Sequence, residues 1–255
     1  AMGVYSTSQF LGAALGGILC QMFFGLILIA LYTALYDARG QNVPLSGVVT
    51  YVWLQQALFR LLLSGDSELA QTINTGGMAY EMCRPVSLYG YYSARVAALK
   101  LVGSAMRAAP MVLFALLLPG GWRLSAPVSA PAFFLFLAGI ALGLLCVTAL
   151  EMITVSVTMR TLDNRGIRAM LNLLMMTFSG NILPLTLFPD AWQGVIRYLP
   201  YTQLLDAPIR LYTGQTALSQ APQMLLIQGF WVIALALLGM YLWQSNLRRI
   251  VVQGG

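Results

Sequence analysis

Six mostly apolar stretches mark the chain, at 11–36, 48–63, 93–118, 131–157, 167–188 and 222–243. About twenty such residues carry a helix across a bilayer. The pattern predicts an all-α integral membrane protein of six transmembrane helices, a single domain over residues 1–255. The first run, Leu11 to Tyr36, is interrupted only by Gln21 and ends at Asp37-Ala38-Arg39-Gly40. The second is short and carries Gln55, Gln56 and Arg60, groups costly against lipid that therefore turn inward. The third starts within a longer helix near Ser93 and holds Lys100 and Arg107 in its inner half, and the fourth contains Glu151.

Two connections are longer than turns. SGDSELAQTINTGGMAYEMCRPVSLYGYY, between the second and third runs, has room for one or two short helices, separated by Gly76-Gly77 and stopped by Pro85. Tyr80, Tyr89, Tyr91 and Tyr92 in it suit the headgroup level of a membrane. The segment from Gly180, at the end of the fifth run, to the sixth contains Pro184, Pro189, Pro200 and Pro208, which forbid one continuous helix. Pro189 fits a helix start, and Trp192, Val195, Ile196 and Leu199 repeat at helical spacing up to Pro200, predicting an interfacial helix. With Leu183 to Phe188 before it, the segment dips back into the membrane where protein covers its backbone.

Composition agrees with lipid as the main solvent: 59% of residues are hydrophobic and 9% charged, with mean hydropathy +0.76. The net charge of +6 is a topology signal. Arg60, Arg84, Arg95, Lys100, Arg160, Arg165, Arg168, Arg248 and Arg249 fall at one set of ends, and Arg39, Arg123, Arg197 and Arg210 at the other. The richer set faces the cytoplasm, which puts both termini there. The chain has no histidine, which removes Ser-His or Cys-His catalysis, His-ligated metal and imidazole pH switching. Cys20, Cys83 and Cys146 make no disulfide framework. Nothing before Leu11 has the form of a signal peptide, so the first run is read as mature structure.

INTGGMAYEMCRP, Ile73 to Pro85, resembles the cytoplasmic coupling segment of type-2 ATP-binding-cassette (ABC-2 type) permeases, specifically a six-helix bacterial exporter group that often carries TG-x-x-AY-x-x-x-RP. SGNILPLTLFPDAWQGVIRYLPY resembles the outer re-entrant region of the same family, with its Pro-Leu, Phe-Pro and Leu-Pro pairs. The resemblance covers nearly the whole chain. It implies a permease pairing with a second copy or a paralogous permease in the bacterial inner membrane. Two cytoplasmic ATPase subunits bind ATP and Mg and drive export by alternating access. Many relatives have a longer cytoplasmic lead before the first span than the roughly ten residues found here.

On that resemblance Gly76, Gly77, Tyr80, Glu81, Arg84 and Pro85 form the coupling segment; the alternative is an ordinary solvated loop. Pro184, Pro189, Trp192 and Pro200 mark the outer re-entrant region. Gln55 and Gln56 in the second span, with Asn172, Met175 and Met176 in the fifth, are candidates for a translocation surface, because those spans meet at the family's dimer axis. Helix packing through amide hydrogen bonds is the competing reading. Arg107 and Glu151 fall at similar depth and are expected to pair, the alternative being that both snorkel to the interface. Gly139 with Gly143, and Gly12 with Gly16, form GxxxG pairs that suit close helix packing.

No GxxxxGK[ST] phosphate loop occurs in the sequence, so energy comes from a separate ATPase. The chain itself is expected to bind no cofactor or metal and to catalyse no reaction. One rival reading is a stand-alone secondary transporter or channel, for which Glu151 is the acid suitably placed. A membrane enzyme or assembly factor is the other, disfavoured by the lack of histidine and of clustered acids.

Overall fold

A computed structural model describes residues 2–38, 44–63, 67–75, 77–83, 85–161, 163–181, 185 and 188–247. The described residues form α-helices in the order α1 (Met2–Ala38), α2 (Leu45–Leu62), α3 (Ser67–Asn74), α4 (Met78–Met82), α5 (Leu88–Leu117), α6 (Ala130–Thr161), α7 (Arg165–Phe178), α8 (Asp190–Ile196), α9 (Asp206–Tyr212) and α10 (Ala221–Leu247), joined by turns and short loops. Among the described residues four stretches are long and apolar enough to cross a membrane: Gly16–Leu35 of α1, α5, α6, and Leu218–Leu247 leading into α10.

The other two expected spans differ from these. α2 has 18 residues, a rise of roughly 27 Å, and its positions from Val48 to Ala57 are all buried. A helix apolar and buried all round belongs to a core, not to a lipid boundary. α7 has 14 residues and stops at Phe178, although the apolar run continues to 188. The chain turns there at Gly180, which has φ +79°, a conformation that ends a helix. Hydropathy alone does not register that turn.

Local chemistry sets the helix ends. Ser87 caps α5 by accepting from Gly90 N at 3.3 Å, and Ser129 accepts from Ala132 N at 3.3 Å at the start of α6. Pro110 sits inside α5, as membrane helices tolerate where neighbours cover the freed carbonyl. Along α6 the hydroxyls of Thr148, Thr154, Ser156 and Thr158 each donate to the carbonyl four residues back, at 2.6 to 3.1 Å, so these hydroxyls need no partner helix.

α6 is the spine of the bundle. α10 packs along it, α5 crosses it, α9 lies near its first half and α3 near its second. α2 fits between α1 and α5. Trp53 anchors that layer: its ring lies against Gly25 of α1, where a Cβ would come within 2.8 Å of it, and edge-on to Phe114 of α5 with centroids 5.6 Å apart. Its indole N–H donates to Trp122 O at 2.9 Å. Phe23, Leu31, Leu101, Met106, Phe134, Phe230 and Ile233 face outward from the long helices, the arrangement a membrane protein gives its lipid boundary.

The GxxxG of α6 is a packing seat. A Cβ on Gly143 would stand 2.7 Å from Leu204 O, and one on Gly139 3.0 Å from Pro208 Cγ, so the approach to α9 leaves no room for one. Gly12 lies where the structure describes the backbone but no side-chain surroundings.

Candidate functional site

Polar groups buried in an apolar bundle are costly unless paired, and here they gather at its two ends. At the end that carries α3 and α4, Glu151 of α6 is 2% exposed. Lys100 Nζ of α5 stands 3.6 Å from Glu151 Oε2, and Arg168 Nη2 of α7 stands 3.8 Å from Glu151 Oε1. Lys100 also donates to Leu63 O at the foot of α2, at 3.0 Å. One carboxylate thus ties three helices and the end of a fourth. Arg107, expected from sequence as its partner, is not among these groups. It lies two turns further along α5 and reaches α1, where a Cβ on Gly17 would come within 2.9 Å of Arg107 Nη2.

Beside this cluster, Leu69 and Ile73 of α3 and Met78 of α4 are buried together with Met152, Val155 and Met159 of α6, Tyr92 of α5 and Trp243 of α10. Tyr92, expected at headgroup level, is inside this cluster, with Trp243 at 6.0 Å between ring centroids. The amphipathic face of α3 supplies the anchor, and Gly77 begins α4 at a close approach, a Cβ there meeting Thr72 Cγ2 at 3.2 Å. Tyr80, by contrast, is 84% exposed, and Pro85 is exposed beyond α4. Glu81 turns back within hydrogen-bond reach of Tyr92. Gly76 and Arg84 lie outside the described residues. The segment is therefore a short helical element fixed to the bundle on one side, with Tyr80 presented on the other.

The five candidates for a translocation surface separate. Gln55 is fully buried and its amide donates to Gly180 O; Gln56 is buried and its carbonyl accepts from Gln21 Nε2 at 2.5 Å. Met175 is buried in the core cluster, while Asn172 and Met176 are half-buried on α7. Within one chain, then, Gln55 serves as an amide bridge between α2 and the turn after α7.

At the opposite end Tyr51 of α2 donates to Asp206 Oδ1 of α9 at 2.7 Å, and Arg210 Nη1, one turn further on, stands 3.8 Å from Asp206 Oδ2. Burial raises the Asp206 carboxyl's pKa, against the opposing pull of Arg210 and of the Tyr51 hydroxyl. Gly180 lies directly against this pair: a Cβ there would meet Tyr51 Oη and stand 3.2 Å from Asp206 Oδ1. Gln228 of α10 donates to Gly139 O at 3.1 Å and to Gln203 O at 2.6 Å, joining α10 to α6 and to the turn before α9. Thr202 donates to Phe178 O at 3.1 Å and to Ile196 O at 2.7 Å.

These bonds hold the proline-rich segment. Pro189 precedes α8, which forms where the helical spacing predicts but ends at Ile196, before Leu199, and of the expected apolar face Ile196 is buried while Trp192 and Val195 are exposed. Pro200 is buried and opens the turn closed by Gln203 N to Pro200 O at 3.2 Å. Pro184 lies outside the described residues. Sequence reasoning missed Tyr51, Gly180, Asp206 and Arg210 as a unit; the signal present was an acid and a base four residues apart, a spacing that places them on one helix face.

Among the described residues no group of three or more His, Cys, Asp or Glu side chains is arranged to hold a metal ion. A protein-family model described as "ABC-2 family transporter protein" matches residues 17–254. No curated protein and no solved structure matches the chain.

Proposed function

Since the chain belongs to the ABC-2 transporter family, a family of membrane permeases of ATP-binding-cassette transport, we propose that it exports a substrate from the cytoplasm of a bacterium as half of the transmembrane part of the transporter. The other half is a second copy or a paralogous permease. Two separate cytoplasmic ATPase subunits bind ATP and Mg, and this chain takes its energy from them. Six segments cross or enter the inner membrane, with both termini in the cytoplasm and α8 and α9 forming the re-entrant outer region.

The observation that carries this reading is the seat of α3 and α4. A coupling element must be fixed to the helices it moves and must offer a surface to its driver. Leu69, Ile73 and Met78 supply the first requirement by burial against α6, and the exposed ring of Tyr80 supplies the second. Gly76, Gly77, Glu81, Arg84 and Pro85 complete the segment. The Lys100–Glu151–Arg168 cluster just inside it passes the motion on, because one carboxylate of α6 holds cations of both α5 and α7. The translocation surface forms where α7 meets the partner permease, with the half-buried Asn172 and Met176 on it and the buried Met175, Gln55 and Gln56 behind them.

The test is Tyr80→Ala. Its ring touches little of its own chain, so membrane expression and thermal stability are expected to match wild type. In the assembled complex, ATP-driven transport is expected to fall about tenfold or more, as truncation of a central aromatic at an interface commonly does. Normal transport in the variant would remove Tyr80 from the coupling surface. A variant that failed to reach the membrane would contradict its assignment as an outward-facing residue.

A further inference from the structure

At the end of the bundle opposite α3 and α4, an open cleft of about 450 Å³ lies between α8, α9 and the first turns of α10. Its walls carry unusual polar chemistry for so apolar a chain. Gln203, 4% exposed, and Asp206, 2% exposed, line it, and Gln203 Oε1 and Asp206 Oδ2 have no hydrogen-bond partner within the chain. Arg210 Nε is likewise without one. The Arg210–Asp206 separation of 3.8 Å is an ion-pair distance, too long to satisfy either group as a hydrogen bond. Unpaired acceptors buried in the wall of a cleft call for hydroxyl or amine donors from an occupant.

The charge of the cleft narrows the choice. Arg197, exposed at the rim, and Arg210 outnumber the single carboxylate of Asp206, so the cleft favours an anion, and guanidinium groups match phosphate oxygens in geometry. On the remaining side Met224 and Ile227 of α10 form an apolar wall, continuous with Leu226 and Phe230 on the outward face of the same helix. An apolar tail leaving the cleft would run onto a surface already apolar.

We propose that this cleft binds a phosphate that carries neighbouring hydroxyl groups. The phosphate sits on Arg197 and Arg210, and the hydroxyls donate to Gln203 Oε1 and Asp206 Oδ2. That chemistry has two sources, the glycerol phosphate headgroup of a phosphatidylglycerol lipid at the membrane surface and a free polyol phosphate. The site stands independently of the direction in which the chain transports.

The experiment places the full-length chain in nanodiscs of phosphatidylcholine containing one-fifth phosphatidylglycerol, and weighs the released protein by native mass spectrometry. One phosphatidylglycerol is expected to stay on each chain. Phosphatidylethanol, equal in charge but without headgroup hydroxyls, is expected to be retained less. Arg197→Gln, a change at an exposed position, is expected to lower the affinity about tenfold, the loss of one charge-assisted contact, with elution and melting unchanged. Glycerol 3-phosphate added to phosphatidylcholine nanodiscs supplies the other arm: binding of it, in a manner sensitive to Arg197→Gln and without retention of phosphatidylglycerol, assigns the site to a free solute. Retention of neither above the phosphatidylcholine background, or retention indifferent to Arg197→Gln or to the hydroxyls, overturns the proposal.

Discussion

Replacing Glu151 with alanine is expected to cost the protein about 3–5 kcal/mol, the penalty of leaving buried cations without their counter-ion. Two cations are affected at once, since Lys100 and Arg168 both stand within 4 Å of the carboxylate and Lys100 is itself buried. Membrane yield and the melting transition in detergent are the readouts, and a largely unfolded or degraded product is the expected one. Arg107→Ala, at the position the sequence paired with Glu151, should be mild by comparison. The combination Lys100→Met with Glu151→Leu should recover much of the loss, because a buried ion pair exchanged for apolar groups of similar volume is often neutral. Equal losses for Arg107→Ala and Glu151→Ala, with no recovery in the double variant, would contradict the assigned partners.

Gly180→Ala is expected to be nearly as harmful, for a reason of backbone geometry. At φ +79° an L-residue carries a strain of about 1–2 kcal/mol. The new methyl would also meet Tyr51 Oη and stand 3.2 Å from Asp206 Oδ1. Relief requires opening the 2.7 Å bond from Tyr51 to Asp206, which leaves a buried acceptor short of a donor at a further cost of about 1–3 kcal/mol. The melting midpoint should fall by roughly 5–15 °C. Gly194→Ala on α8, where an added Cβ meets nothing within 4 Å, should leave it unchanged. A Gly180 variant as stable as wild type would mean that α2, the turn after α7 and α9 do not meet as described.

These two positions also mark how far hydropathy carries. A helix occupies all or part of each apolar run, because a backbone without water can satisfy its polar groups only internally. Among the described residues, four of these helices are long and apolar enough to span. What the runs did not record was depth and burial. Gln55, Gln56 and Arg60 set the α2 run apart by composition, but composition does not give the degree to which its neighbours wrap it. Helix α7 ends ten residues before its apolar run does because Gly180 takes a left-handed turn, and apolar residues continue past it. Charge pairing failed on register. Lys100 and Arg107 are two turns apart, so they share a face of α5, and periodicity could find that face without saying which of them meets α6. Only the crossing of α5 and α6 selects Lys100.

The proline-rich segment was legible in its local part and silent in its tertiary part. Pro189 and the spacing of Trp192, Val195 and Ile196 announced α8, since helix starts and amphipathic faces are local properties. Asp206, by contrast, acquires its role from Tyr51, 155 residues earlier in the chain, and no local pattern points across that distance. The GxxxG of α6 was visible as a site of close approach, but its partner is the carbonyl of Leu204 in the same chain.

The central claim, that this chain is the membrane half of an ATP-driven exporter, is tested most directly by recovering the tagged protein from its host membrane in mild detergent. Mass spectrometry then identifies what accompanies it, and the complex is assayed for ATP hydrolysis. Co-purification of a phosphate-loop ATPase, with hydrolysis lost from the complex that carries Tyr80→Ala, is the expected result. Recovery of the chain alone, active in liposomes without ATP, would contradict the account and move Glu151 to the centre of an ion-coupled mechanism.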